Sequence, residues 1–555
     1  MEAVLKKLSD FFADREIWNK DTAKSGSVIR ILSFLATLYC VLIFFGLPLF
    51  FRDRYYDIGD AKYDYFYYTT VIFITLVFLI LIFSLISSLI GKRSIRGDIR
   101  AFIKGLSIPE GFLLAYGSSA SLSFLFSSFN TWEFFGRDIT NPPLTGYKGW
   151  YMGLISQLFF LTVYFIVSRA LFGRYYRKIL IFFIYLGSFF PIVFAILHRF
   201  GVDPLGFYTN VDPRYYIYFL STLGQATWYS SFLSIVLPLA MASFIYEKRS
   251  GFRILYAGYI FLGAMSLVTQ NSDSAFLALF AVLLMFFIFS LDGNAHFINY
   301  LQLLILILMA FRFTGLLQAI FSDRAILPGR LSLFFSQGKE MAVICLLLFA
   351  LYILICGSFS RKNILIKNYR RILIYTSLLL LLFAVLAYLL ITFLVSGGYI
   401  KARGILSSAY FNFNDTWGNG RGFTWRTSLE MIKGFSFREF FLGVGPDCYA
   451  EYAYSVKSEE LQRIWKAEIL ANAHNEWLNT FFTMGALGLF SYLGFFISSI
   501  CRLIRNKGVG ILLTGVSAAV LSYIVHNFFC YQQVLCSPMI FLLIAFANSV
   551  IKNKK

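Results

Sequence analysis

The sequence predicts an all-α fold: a polytopic membrane helix bundle of about 14 transmembrane helices, with one large helical extracytoplasmic loop before the twelfth span. Three observations predict it. Of 555 residues, 58% are hydrophobic and only 14% are charged, and mean hydropathy is +0.70. Fourteen apolar runs approach the roughly 20 residues that a spanning helix needs. Lysine and arginine concentrate in alternate connecting loops, as cytoplasmic loops require. This composition excludes a disordered chain, which needs low hydrophobicity, and argues against a soluble multidomain enzyme, whose surface needs far more charge. The net charge of +20 is not collected into one basic domain, so it is not the footprint of a nucleic-acid-binding protein.

The runs are approximately 31–51, 66–90, 109–129, 149–169, 179–198, 222–246, 253–270, 274–291, 298–320, 340–360, 372–396, 476–500, 509–527 and 536–551. The seventh and eighth are short and separated only by Gln270–Ser274. With the N-terminus inside, cytoplasmic segments hold 29 of the 49 lysines and arginines, against 19 outside and Arg312 within a span. Nine of the outer 19 lie in one long loop, so the short loops obey the positive-inside rule. Both termini are therefore expected in the cytoplasm. Residues 1–30 are polar and read as a cytoplasmic segment, not a cleavable signal. The clusters Lys92, Arg93, Arg96, Arg100, Lys104 and Arg361, Lys362, Lys367, Arg370, Arg371 read as topology signals or anionic-lipid contacts. The seven cysteines contain no CxxC pair and suggest neither a disulfide framework nor a zinc site.

The expected organisation is residues 31–395 as spans 1–11, 396–475 as an extracytoplasmic catalytic loop, and 476–551 as spans 12–14. A loop of that length with its own helices is usually functional. Residues 421–434 have helical spacing. Residues 458–470 read as an amphipathic helix with Ser458 as N-cap and Leu461, Ile464, Trp465 and Ile469 on one face. No persuasive symmetry relates the two halves, which disfavours a transporter built from repeats.

Few ionisable groups fall within the bilayer. Arg312 reads either as a functional intramembrane cation or as a side chain snorkelling to the outer interface. His474, just before the apolar helix of the twelfth span, reads either as a general base at the outer interface or as a helix-capping residue beside Asn475. His198, His296 and His526 carry less functional weight. Arg421 and Arg426 lie five apart and can both reach one extended anion, for which the guanidinium fork is suited. Gly443, Val444, Gly445, Pro446 and Asp447 form a tight turn that brings backbone close to a partner. There is no GxxxxGK[ST] phosphate loop.

Taken in order, NGRGFTWRTSLEMI, FFLGVGPDCY and NAHNEWLNTFFTMGALGLFSYLGF resemble the signature region of the O-antigen ligase and O-antigen polymerase superfamily. The matching positions are Gly420 and Arg421, Trp425, Gly443–Pro446, His474 and Asn475, then Gly485, Gly488 and Leu489, within residues 400–500. The resemblance implies an integral-membrane glycosyltransferase of the bacterial cytoplasmic membrane. It would take a glycan from an undecaprenyl-diphosphate carrier on the outer face and pass it to a lipid-linked glycan (polymerase, favoured) or to lipid A core (ligase). His474 would be catalytic and Arg421 would bind the donor diphosphate. A second family arginine sits in a Ser-Arg pair, where this chain has Ser272 and Asp273, so Arg312, Arg403 or Arg426 is expected to substitute. Asn475, Gly443, Gly445, Asp447 and Glu476 would support the site. Asp447 and Glu476 also leave a covalent glycosyl-enzyme open beside direct displacement. No cofactor and no metal are implied. The implied partners are the lipid-linked donor and acceptor, membrane lipids, and a chain-length regulator or flippase, with no nucleic acid. A lipid-linked glycan flippase or other transporter is the reading from a different class.

Overall fold

The computed structural model describes residues 27–90, 104–129, 131–134, 137–170, 172–362, 365–466 and 468–553. Most of the expected N-terminal segment and most of the Lys92–Lys104 cluster lie outside the described residues, as do the side chains of Arg361 and Lys362. The described chain is overwhelmingly helical, and each of the fourteen apolar runs lies on a helix. Two short antiparallel hairpins, Thr131–Phe134 with Arg137–Thr140 and Phe219–Leu220 with Gly224–Gln225, lie between helices, the second reaching into the start of the expected sixth run.

Among the described residues, nine helices are long and apolar enough to cross a bilayer. Four further apolar helices, Leu154–Arg169, Ser274–Ser290, Ile511–His526 and Ser537–Lys552, are 16 or 17 residues long. At 1.5 Å per residue they reach about 25 Å, short of a hydrocarbon core of about 30 Å. The remaining run lies on Ile108–Phe126, whose serines and glycines hold its hydropathy down. Nine of the fourteen expected runs thus lie on helices that meet the length and hydropathy criterion among the described residues, and the other five lie on shorter or more polar helices.

The bundle core is built on three close pairings: Ala226–Tyr246 with Ile511–His526, Glu476–Arg505 with Ile108–Phe126, and Ser537–Lys552 with Leu154–Arg169. Ala226–Tyr246 and Ser537–Lys552 are buried nearly all round. The helices Lys339–Lys362 and Arg370–Ser396 show the opposite extreme. Few of their apolar side chains are buried within the protein, as expected where lipid is the solvent.

Polar braces mark the two ends of the bundle. At one end the buried Glu110 carboxylate accepts from Arg169 and from Lys552 at 2.6 Å, tying the starts and ends of three helices. At the other end the buried Arg199 guanidinium donates to the carbonyls of Thr269, Tyr216 and Ile217 at 2.6–2.9 Å. The buried Lys62 ammonium similarly donates to the carbonyls of Leu47, Pro48 and Phe50. The loop after Arg199, the Gln270–Asp273 turn and the 321–338 segment all gather at this second end, through Ile326 N–H to Arg199 O and Gly329 N–H to Asn271 Oδ1.

The large loop packs an apolar cluster that includes Phe423, Met431, Tyr449 and Leu461 and is closed by Phe482 of the helix Glu476–Arg505. One expectation is corrected here. The helix that contains Ser458 begins at Tyr449, straight after the Pro446–Asp447 turn, and is kinked at Lys457, so Ser458 does not cap its start. Leu461 is buried, whereas Ile464 is 46% exposed and Ile469 lies beyond the helix.

Candidate functional site

His474 sits in the turn that feeds the helix Glu476–Arg505, with φ +48°, a left-handed conformation that is strained for a non-glycine residue. Two asparagines hold it there. Asn472 Oδ1 accepts the His474 N–H at 2.9 Å. Asn475 Oδ1 accepts the N–H groups of Trp477 and Leu478 at 3.0 and 3.1 Å, so Asn475 is the helix cap. The imidazole is thus released from capping. It stands between Trp465, stacked at 6.4 Å, and Tyr531, edge-on at 5.4 Å. Among the described residues its ring nitrogens have no hydrogen-bond partner. Burial, and secondarily the nearby Arg421 charge, lower its pKa to about 3 and keep the ring neutral.

Arg421 is aimed by an unusual local backbone. Gly418, Asn419 and Gly420 all have positive φ (59°, 61° and 86°), an arch that the two glycines make affordable before the helix runs on to Lys433. The guanidinium is half-buried. Its Nη1 donates to Gly418 O and its Nη2 to Phe529 O, both at 2.7 Å, while Nε is buried without a partner. One turn on, Trp425 Nε1 donates to Ala473 O at 3.1 Å. The Arg421 helix, the His474 turn and the 527–536 loop thus meet at one point.

The other carboxylates flank this point. Asp447 Oδ2 accepts the N–H groups of Tyr147 and Met152 at 2.8 and 2.9 Å, and burial pushes its carboxyl up to about 7. Glu476, 1% exposed, accepts from Tyr492 Oη at 2.6 Å, from Tyr523 Oη at 3.1 Å and from Asn527 Nδ2. This network fastens the site's main helix to Ile511–His526.

The Gly443–Gly445 turn meets protein rather than an open cleft. The helix Glu476–Arg505 is interrupted at Gly485 (φ 68°, ψ −173°), and the freed carbonyls of Phe482 and Thr483 accept from Val444 N and Gly445 N at 3.2 and 3.0 Å. Ser123 Oγ adds a bond to Thr483 O at 2.7 Å. A broken helix at membrane depth is tolerated where its backbone is satisfied in this way. A Cβ on Gly443 would strike the Thr483 backbone, and one on Gly485 the Phe441 backbone.

The three remaining arginines lie elsewhere. Arg426 is held by Asp415 and Glu430 at 3.0 Å, with Glu460 at 3.8 Å, so its charge is already matched by acids of the same loop. Arg312 donates to Gly338 O at 2.9 Å, closing the C-terminus of the helix Arg330–Gln337. Arg403 is exposed. The other histidines are bonded: His198 to Tyr55 Oη and Ser221 N, His296 to Asp292, and His526 to Ser230 and Ser274.

The turn at Ser272 and Asp273 does belong to the site's surroundings. Asp273 Oδ2 accepts from Tyr410 Oη at 2.7 Å, joining the long loop to the helix Ser274–Ser290. Burial, then Asp273, raises the Tyr410 pKa, while the neighbouring Arg330 charge acts in the opposite direction. Arg330, exposed at the first turn of its helix, was not singled out by the sequence; its only signal was a cation in a short outer loop. Tyr531 and Phe529 were missed for a similar reason, since nothing in an apolar run marks a residue that faces a distant loop. No cluster of three or more His, Cys, Asp or Glu side chains able to hold a metal occurs among the described residues.

Residues 325–493 match the family described as O-antigen ligase, a segment that contains Arg330, Arg421 and His474. No curated protein matches the chain. The match supports a membrane enzyme of the ligase or polymerase type. Over residues 325–493 this polytopic helical chain therefore resembles the O-antigen ligase and polymerase superfamily.

Proposed function

We propose that the protein is a membrane glycosyltransferase of the bacterial cytoplasmic membrane, which transfers or polymerises undecaprenyl-diphosphate-linked glycan repeat units on the outer face. The observation that carries this reading is the neutral, unbonded His474 imidazole beside the Arg421 guanidinium at one end of a membrane bundle.

The chemistry follows from those two groups. The acceptor hydroxyl gives its proton to His474 and its oxygen attacks the sugar C1. The bond from C1 to the carrier phosphate breaks, and the diphosphate leaves with its negative charge facing Arg421. We assign the assisting role to Arg330, whose charge acts on Tyr410 beside Asp273, rather than to Arg426, whose charge is matched by acids of its own loop. The phosphate–sugar bond supplies the energy. A single displacement inverts the anomeric centre. Burial, and secondarily the Arg421 charge, disfavour protonation of His474 and make it a weak base. A bound diphosphate offsets the Arg421 charge and raises the imidazole pKa, so the base strengthens when donor is present.

Polymerase is the favoured form, with a lipid-linked glycan as acceptor. A ligase would use the same donor chemistry with lipid A core as acceptor. Full-length protein in lipid nanodiscs, given defined undecaprenyl-diphosphate repeat units, should release undecaprenyl diphosphate and form longer lipid-linked glycans. Unchanged repeat units, with or without lipid A core present, would overturn the proposal.

A further inference from the structure

A narrow pocket is bordered by Tyr531, whose ring also meets His474 at 5.4 Å. Asp447, Asn472, Glu476, Asn479, Trp150 and Tyr531 line it. Its polar walls are only partly satisfied. Asp447 is 6% exposed, and its Oδ2 is used by two backbone N–H groups, while Oδ1 has no partner among the described residues. Asn472 is 4% exposed; its Oδ1 holds the His474 N–H, and its Nδ2 has no partner among the described residues. Asn479 Oδ1 accepts from Ala473 N at 3.1 Å, and its Nδ2 is likewise unbonded among the described residues. One carboxylate acceptor and two amide donors therefore face one cavity. Such a set matches a hydroxyl group, which donates one hydrogen bond and accepts others. The aromatic walls are rigid: Trp150 meets Tyr531 edge-on at 4.7 Å, and Tyr531 Oη is fixed by Trp228 Nε1 at 2.9 Å.

The free space is about 20 Å³. That leaves room for a small polar group of the size of a water or a hydroxymethyl. We propose that this pocket receives a single hydroxyl or hydroxymethyl substituent of the sugar undergoing transfer, and so selects which sugar is presented to His474. The proposal rests on the glycan-transfer reading and adds the element that reads the sugar itself. A buried polar pocket of this kind discriminates strongly, because an analogue lacking the hydroxyl leaves the protein groups unpaired.

Two variants test it in full-length protein in nanodiscs. Asp447→Asn keeps an oxygen for the Tyr147 and Met152 N–H groups but turns the free acceptor into a donor. Thr480→Ile adds bulk at the pocket wall without touching Asp447. Each should raise KM for the undecaprenyl-diphosphate repeat unit about tenfold or more, in line with the cost of an unpaired buried polar group. Binding of undecaprenyl diphosphate carrying no sugar should stay within about twofold of wild type, since the carrier group alone leaves the pocket's hydrogen bonds unchanged. Wild-type KM in both variants would overturn the proposal, as would an equal loss of binding to the sugar-free carrier. Failure of the wild-type protein to transfer glycan would instead overturn the activity on which the proposal rests.

Discussion

The indole N–H of Trp425 donates to the carbonyl of Ala473 at 3.1 Å, so the helix that carries Arg421 is bonded to the residue preceding His474. The two groups with the clearest chemical potential are thereby fixed in one frame. They are 53 positions apart in sequence, yet the loop packs them as a unit with Phe529 and Tyr531.

Arg421→Ala should weaken use of the lipid-diphosphate donor, seen as a KM increase of about tenfold or more, because a charge-assisted contact is worth about 1.5–3 kcal/mol. Arg421→Lys should recover only part of the loss, since an ammonium cannot replace a planar fork. Steady-state kinetics against donor concentration checks this. A donor KM unchanged in the alanine variant would remove Arg421 from the site.

Arg426→Ala should leave donor KM within about threefold of wild type. Its partners Asp415, Glu430 and Glu460 are surface acids, and such pairs contribute about 0–1 kcal/mol. A loss as large as that of Arg421→Ala would show that Arg426 binds donor after all.

Glu451 gives a pH prediction. It is fully buried, neither carboxylate oxygen has a hydrogen-bond partner, and burial pushes its pKa up to about 8. A carboxyl whose folded pKa is raised contributes stability below its unfolded pKa and loses it as pH rises through the folded value. Glu451→Gln cannot ionise. Its thermal midpoint relative to wild type should therefore climb between about pH 5 and pH 8 and level off above, and a pH-independent difference would contradict the assignment.

Gly485→Ala should destabilise the protein by at least about 1–3 kcal/mol, the usual cost of a strained backbone, with a further clash against Phe441. Thermal unfolding in detergent measures it. A neutral effect would mean that the helix break is not tightly held.

The spans were legible in the sequence because a run of about 20 apolar residues has few alternatives to a helix. Every such run is helical, but the sequence could not show that Leu154–Arg169 and Ile511–His526 stop short, since neighbouring apolar residues continue the pattern in an irregular segment. His474 was legible by its place before an apolar helix. Its two readings, base or cap, differ only in which side chain meets the helix N–H groups, and that is Asn475. The break at Gly485 was hidden because TMGALG reads as continuous helix until Gly443 and Gly445 supply the missing partners. Arg330 and the Tyr410–Asp273 bond were hidden by distance, as the latter joins residues 137 positions apart.

The most direct test compares wild-type protein with His474→Ala in nanodiscs, measuring release of undecaprenyl diphosphate from a defined repeat-unit donor in a single turnover. The account predicts release by the wild type and a fall of about 10²–10⁴-fold in the variant, the range for loss of a general base, with normal membrane insertion and unchanged donor affinity. Release at the wild-type rate from His474→Ala would contradict it.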